Sequence, residues 1–183
     1  MHHASLRGSF WGASMENVSE GAEQRTRFVG RIEALPALFG FMGGALAIGL
    51  LGMLAKTTGL PLLIAPFGAS SVLLFAAPDS AFAQPKNLVV GHLIASAVGL
   101  AVFWFCGAGV WQSAIAVGLA IAAMQLSRTV HPPAGADPLV IMLSGGASVQ
   151  FLVVPVLTGV LCLLLIALVF NNAVRGERWP RRR

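Results

Sequence analysis

Ala65-Pro66-Phe67-Gly68-Ala69-Ser70-Ser71 opens one short apolar run, and Pro132-Pro133-Ala134-Gly135-Ala136-Asp137 opens another. The two share Pro-x-Gly-Ala. Sliding the chain by 67 residues puts Pro66 on Pro133, Gly68 on Gly135, Ala69 on Ala136 and Ser70 on Asp137. Proline supplies no backbone donor and resists extending a preceding helix, so each run begins on irregular backbone. Short, Pro/Gly-interrupted apolar segments at corresponding places in two halves of a hydrophobic chain point to the binding site of a transporter.

The surrounding composition places those runs in a membrane. Of 183 residues, 56% are hydrophobic and 10% charged, against roughly 25% charged in soluble domains. Only Lys56, Asp79, Lys86, Arg128 and Asp137 carry charge between residues 34 and 174. A charge at the bilayer centre costs several kcal/mol, which explains the segregation. The net charge of +5 comes from residues flanking apolar spans. It reads as topology signal and anionic-lipid contact, not as nucleic-acid binding. Cys106 and Cys162 lie in apolar runs without a CxxC pattern, so neither a disulfide framework nor a zinc site is expected.

Six apolar elements follow: residues 35–55, 61–77, 88–106, 110–126, 132–143 and 149–170. The expected fold is an all-α membrane bundle of two long–short–long repeats, 34–107 and 108–174. The second and fifth elements are short or broken; in 61–77 uninterrupted helix is expected only over 69–78. Pro155 predicts a kink in the last element. A polar tail over 1–33 and a basic tail over 175–183 flank the membrane domain. Arginines at both ends place both termini in the cytoplasm and make the number of crossings even. Six crossings invert the second repeat, whereas four, with re-entrant short segments, leave the halves parallel. Loop charges favour six.

If the repeats are inverted, two helix N-termini converge near the midplane. Helix N-termini bear free N–H groups and positive dipole ends, which attract anions. Candidate binding residues are Gly68, Ala69, Ser70, Ser71, Arg128, Thr129, His131, Gly135, Ala136 and Asp137, with Pro66, Pro132 and Pro133 shaping the turns. Gly135 lets a ligand approach the backbone; Arg128 and His131 add positive charge. Asp137 would repel an anion, so it pairs with Arg128 or His131, or carries a coupled proton or cation. His92 reads as a packing histidine. No HExxH, GxSxG or paired intramembrane carboxylate is present, so an enzyme, a metal site and a cofactor are not expected. Small residues at four-residue spacing (Gly40/Gly44, Ala45/Gly49, Gly91/Ala95/Gly99 and Ala114/Gly118/Ala122) either pack the bundle or pair two copies of the chain.

Two blocks of residues resemble the HPP family of integral membrane proteins, named for a His-Pro-Pro such as 131–133. One runs from Pro66-Phe-Gly-Ala-Ser-Ser through Phe75-Ala-Ala-Pro78 to Ala83-Gln84-Pro85-Lys86-Asn87. The other is Thr129-Val-His-Pro-Pro-Ala-Gly-Ala136. Family members are usually described with four membrane helices, the number obtained when the two short segments are not scored as spans. Chloroplast and cyanobacterial members are associated with nitrite transport. The resemblance therefore implies permeation of a small inorganic anion by a transporter or channel, with nitrite the specific expectation. Glu16, Glu20 and Glu23 argue against a transit peptide, and a bacterial inner membrane is the expected location. A non-transporting assembly or regulatory subunit is the other reading.

Overall fold

The computed structural model describes residues 34–181, all helix, turn and connecting backbone, with no strand among them. The tail expected over 1–33 lies outside the described residues, as do Arg182 and Arg183. Helix α1 spans Ala34–Thr58 and α2 spans Ala65–Ala76; a short 3₁₀ turn, Ala81–Ala83, precedes α3, Pro85–Cys106. Helix α4 follows at Val110–Leu126. The second motif forms a 3₁₀ turn, Pro132–Ala136, that leads into α5, Asp137–Leu143. The last element, Leu152–Val174, is irregular at Leu152–Leu157, regular through α6 at Thr158–Val169, and widened at Phe170–Val174. All six expected elements are present.

Two local differences have simple causes. Helix α2 begins at Ala65, four residues before the expected start, because Pro66 occupies its first turn. The missing N–H costs nothing there and the fixed φ suits a helix. In the last element the helix breaks at Val154, which is extended (φ −131°, ψ 117°), directly before Pro155. The expected kink is thus a local loss of helix.

Contacts trace the path. Helix α2 runs antiparallel to α1, with Ala76 against Gly40 and Phe75 against Gly43. It runs parallel to α6: Phe67 lies on Gly159, and the Leu74 carbonyl accepts a hydrogen bond from Asn171 (3.2 Å). Residues 130–147 run parallel to α3. Asn87 donates to the Val130 carbonyl (2.8 Å), His131 packs on Gly91, Pro138 on Gly99 and Gly146 on Phe103. The described residues therefore pass six times between the two ends of the bundle. Their second pass joins irregular residues 59–64 to α2, and their fifth joins irregular backbone to α5. Helices α2 and α5 run in opposite directions, and at about 1.5 Å per residue neither alone crosses a hydrocarbon core of about 30 Å.

One core cluster joins α1, α2 and α6 through Ala47, Leu51, Phe67, Leu74, Phe75 and Leu163. Large apolar side chains also cover the outside, among them Phe105, Leu126, Leu143 and Trp111. An outer surface this apolar matches lipid rather than water. Residues 175–181 fold back onto the body. Arg175 donates to the Phe75 carbonyl (2.8 Å) and lies over the Phe39 ring, while the Arg181 amide donates to Gln84 (2.9 Å) and Trp179 is buried.

Candidate functional site

Within this apolar body four elements send polar side chains to one point. Helix α2 supplies Ser70, α3 supplies His92 and Ser96, the His-Pro-Pro turn supplies His131, and α5 supplies Asp137. All five residues are 0% exposed. His92 is the centre. Its Nδ1 lies 2.8 Å from Asp137 Oδ2 and its Nε2 lies 2.9 Å from Ser70 Oγ. The same Ser70 oxygen lies 2.9 Å from His131 Nε2. His131 Nδ1 reaches the Phe82 carbonyl at 2.7 Å, and Ser96 donates to Asp137 Oδ2 at 3.1 Å. Asp137 Oδ1 is buried with no partner. The Phe67 ring meets His92 edge-on at 5.6 Å, and the two imidazoles are 4.9 Å apart.

Local sequence builds this geometry. His92 and Ser96 are one helical turn apart and share a face of α3 with Gly91, Ala95 and Gly99. The glycines let the second motif come close. A Cβ at Gly91 would sit 2.7 Å from the His131 Cβ, and one at Gly99 would sit 2.9 Å from the Pro138 Cα. Pro132 and Pro133 prevent a helix from forming through His131, which takes an extended conformation (φ −131°, ψ 98°) and turns its ring inward.

Of the sequence-predicted residues, Ser70, His131 and Asp137 meet here, and the first motif copy touches the residue just before the second through Ser70 and His131. The others lie outside the network. Ser71 bonds the Phe67 carbonyl of its own helix (2.9 Å), and Thr129, also buried, bonds Ser127 (2.6 Å). Arg128 is exposed in a left-handed conformation (φ 55°). Asp137 is therefore joined to His92, not to the expected Arg128 or His131. Gly68 and Ala69 are exposed, and Gly135 and Ala136 are half-buried. Gly68 lines a groove of about 290 Å³ between α1 and α2; Gly135 lines one of about 350 Å³ against α4. A Cβ at either glycine meets nothing within 4 Å, and neither has positive φ. Pro66 and Pro133 are buried and Pro132 is exposed.

Sequence reasoning missed the centre, His92. The signal was its i, i+4 pairing with Ser96 inside an apolar span. Ser70, His92 and Asp137 have the connectivity of a hydrolase triad. Here the serine hydroxyl is fully buried and shared by a second imidazole. No group of three or more His, Cys, Asp or Glu positioned to hold a metal occurs among the described residues.

Residues 30–180 match the family model described as HPP, transmembrane region. Two relatives from Dictyostelium discoideum, each named only as a transmembrane protein, are 38% identical over 125 residues. The matches cover 64% of this chain and 40% or 44% of the relatives, so the chain spans less than half their length. No solved structure matches.

Proposed function

The chain belongs to the HPP transmembrane family, and we propose that it is a transporter of a small inorganic anion, with nitrite as its substrate. One observation carries this reading. The two interrupted segments, running in opposite directions, meet at a fully buried Ser-His-His-Asp network inside a largely apolar bundle. Ionisable side chains at membrane depth are costly and mark substrate or ion pathways. Broken helices meeting at the bundle centre are where transporters bind their substrates. Nitrite comes from the family resemblance. The lipid partner, a bacterial inner membrane, two cytoplasmic termini and the absence of enzymatic activity belong to the same reading. Ala114, Gly118 and Ala122 are exposed on α4 and supply a close-packing face for a homo-oligomer.

The test is nitrite uptake into proteoliposomes carrying the purified protein, with nitrate and chloride as competitors and His131→Gln as the site variant. Saturable uptake, lost in the variant, is expected. Folded protein that moves none of the three anions would shift the reading to a non-transporting subunit.

A further inference from the structure

We propose that Ser70, His92, His131 and Asp137 form a proton relay holding one proton more than their ordinary ionisation states supply. Ser70 passes that proton between the two histidines. The inference comes from counting hydrogens. Four gaps link the chain of atoms: Asp137 Oδ2 to His92 Nδ1 at 2.8 Å, His92 Nε2 to Ser70 Oγ at 2.9 Å, Ser70 Oγ to His131 Nε2 at 2.9 Å, and His131 Nδ1 to the Phe82 carbonyl at 2.7 Å. Each is a hydrogen-bond distance and needs one hydrogen. The carbonyl can only accept, so His131 Nδ1 carries its hydrogen. An ionised carboxylate brings none, a neutral imidazole one and a hydroxyl one. Three hydrogens are supplied where four are required. With both histidines neutral and Asp137 ionised, Ser70 can donate to one imidazole only, and the other Nε2 faces an oxygen with no hydrogen between them.

One added proton fills every gap and makes the cluster neutral. Neutrality matters because all four side chains are wholly enclosed, and an uncompensated buried charge is strongly destabilising. Among the described residues no lysine, arginine or glutamate is bonded to the cluster. Among the described residues, the only other side chain hydrogen-bonded to it is Ser96, through Asp137.

The proton has three resting places. It can sit on Asp137, giving an unbroken run of neutral donors from the carboxyl to Phe82. It can sit on His92, between the carboxylate and Ser70. It can sit on His131, which then donates to Ser70 while Ser70 donates to His92. Passage from His92 to His131 breaks the His92 Nε2–H bond and forms an O–H bond on Ser70; the original Ser70 O–H breaks and an N–H forms on His131. No other atom changes partner, and the hydroxyl ends pointing the opposite way. Asp137 Oδ1, unpartnered and buried, is the open acceptor at one end. Resting on the transport reading, a proton on His131 places positive charge at the Pro-Pro turn for a monovalent anion, and its return to Asp137 removes it.

The test is a proton count on the full chain in lipid nanodiscs at neutral pH. Nitrogen NMR of ¹⁵N-histidine protein reads the ring protonation of His92 and His131, assigned with His92→Gln and His131→Gln. Infrared absorption, assigned with Asp137→Asn, reads the protonated carboxyl. The imidazolium and carboxyl fractions should sum to one proton per chain. Ser70→Ala should abolish exchange between the rings and Ser70→Thr should restore it. A sum of zero or two overturns the relay, as does exchange that survives in Ser70→Ala. If Ser70→Ala does not fold, the wild-type sum decides. Nitrite flux is measured separately in proteoliposomes. A sum of one without any nitrite flux overturns the transport reading and leaves the relay standing. Nitrite flux with a sum of zero does the reverse.

Discussion

At the scale of single residues, glycines decide whether the polar network can assemble. Gly91 and Gly99 have no room for a methyl group, because it would press on the His131 Cβ in one case and on the Pro138 Cα of α5 in the other. Gly91→Ala should push that segment off α3, lengthen the Ser70–His131 gap and cost about 1–3 kcal/mol, the usual penalty for overpacking. Gly68→Ala should do the opposite. It faces open space within α2, where replacing glycine gains roughly 0.5–1 kcal/mol of helix stability. Thermal unfolding in detergent should therefore move in opposite directions for the two variants, and an unchanged midpoint for Gly91→Ala would remove the close approach from the argument. The site was half legible in the sequence for this reason. Ser70, His131 and Asp137 announce themselves because they adjoin Pro and Gly in an apolar run. His92 does not, since a lone histidine in a regular helix shows its role only when the facing segment is known. Arg128 misleads in the other direction: its charge draws attention, yet its side chain is exposed.

Among the elements, α2 determines how firmly the first motif copy is held. It is only 12 residues long, short enough that tertiary packing rather than intrinsic propensity must stabilise it. Two aromatic side chains clamp it, Phe67 in the notch left by Gly159 and Phe75 in the notch left by Gly43. Phe67 also touches the His92 ring, so packing between α2 and α6 is connected to the hydrogen-bond network. Gly159→Ala should displace Phe67 and destabilise the fold, while Phe67→Leu in the same chain should relieve part of the clash. The cycle of both single variants and the double variant should give a favourable coupling of about 0.5–3 kcal/mol; simple additivity would show that Phe67 does not depend on the Gly159 notch. The existence and order of the six elements were readable from apolar run length and Pro/Gly interruption, which are local properties. The notches were not, because they pair residues as distant as 67 and 159. The start of α2 also escaped, because a proline that breaks a helix interior is harmless in its first turn.

For the whole molecule, the open question from loop charges was whether the short segments cross. The path of the chain gives a definite expectation. If each pass between the ends of the bundle is a crossing, the end of α3 lies on the face opposite both termini, and so does the exposed Cys106. Were the segments at 61–77 and 132–143 merely re-entrant, α3 would instead run back toward the cytoplasm and carry Cys106 to the same side as the termini. The cysteines make this separable: Cys162 is only partly exposed and can be replaced by alanine, leaving Cys106 as the reporter. A membrane-impermeant maleimide should label Cys106 in intact cells or right-side-out vesicles. A cysteine introduced at Arg181 should react only after the membrane is opened. Labelling of both from the same side would reduce the crossings to four and make the two halves parallel. It would also take away the opposed approach of α2 and α5 on which one shared site at mid-membrane depends. Labelling from opposite sides would leave the network as the point that the chain reaches from both faces, the geometry that alternating access requires.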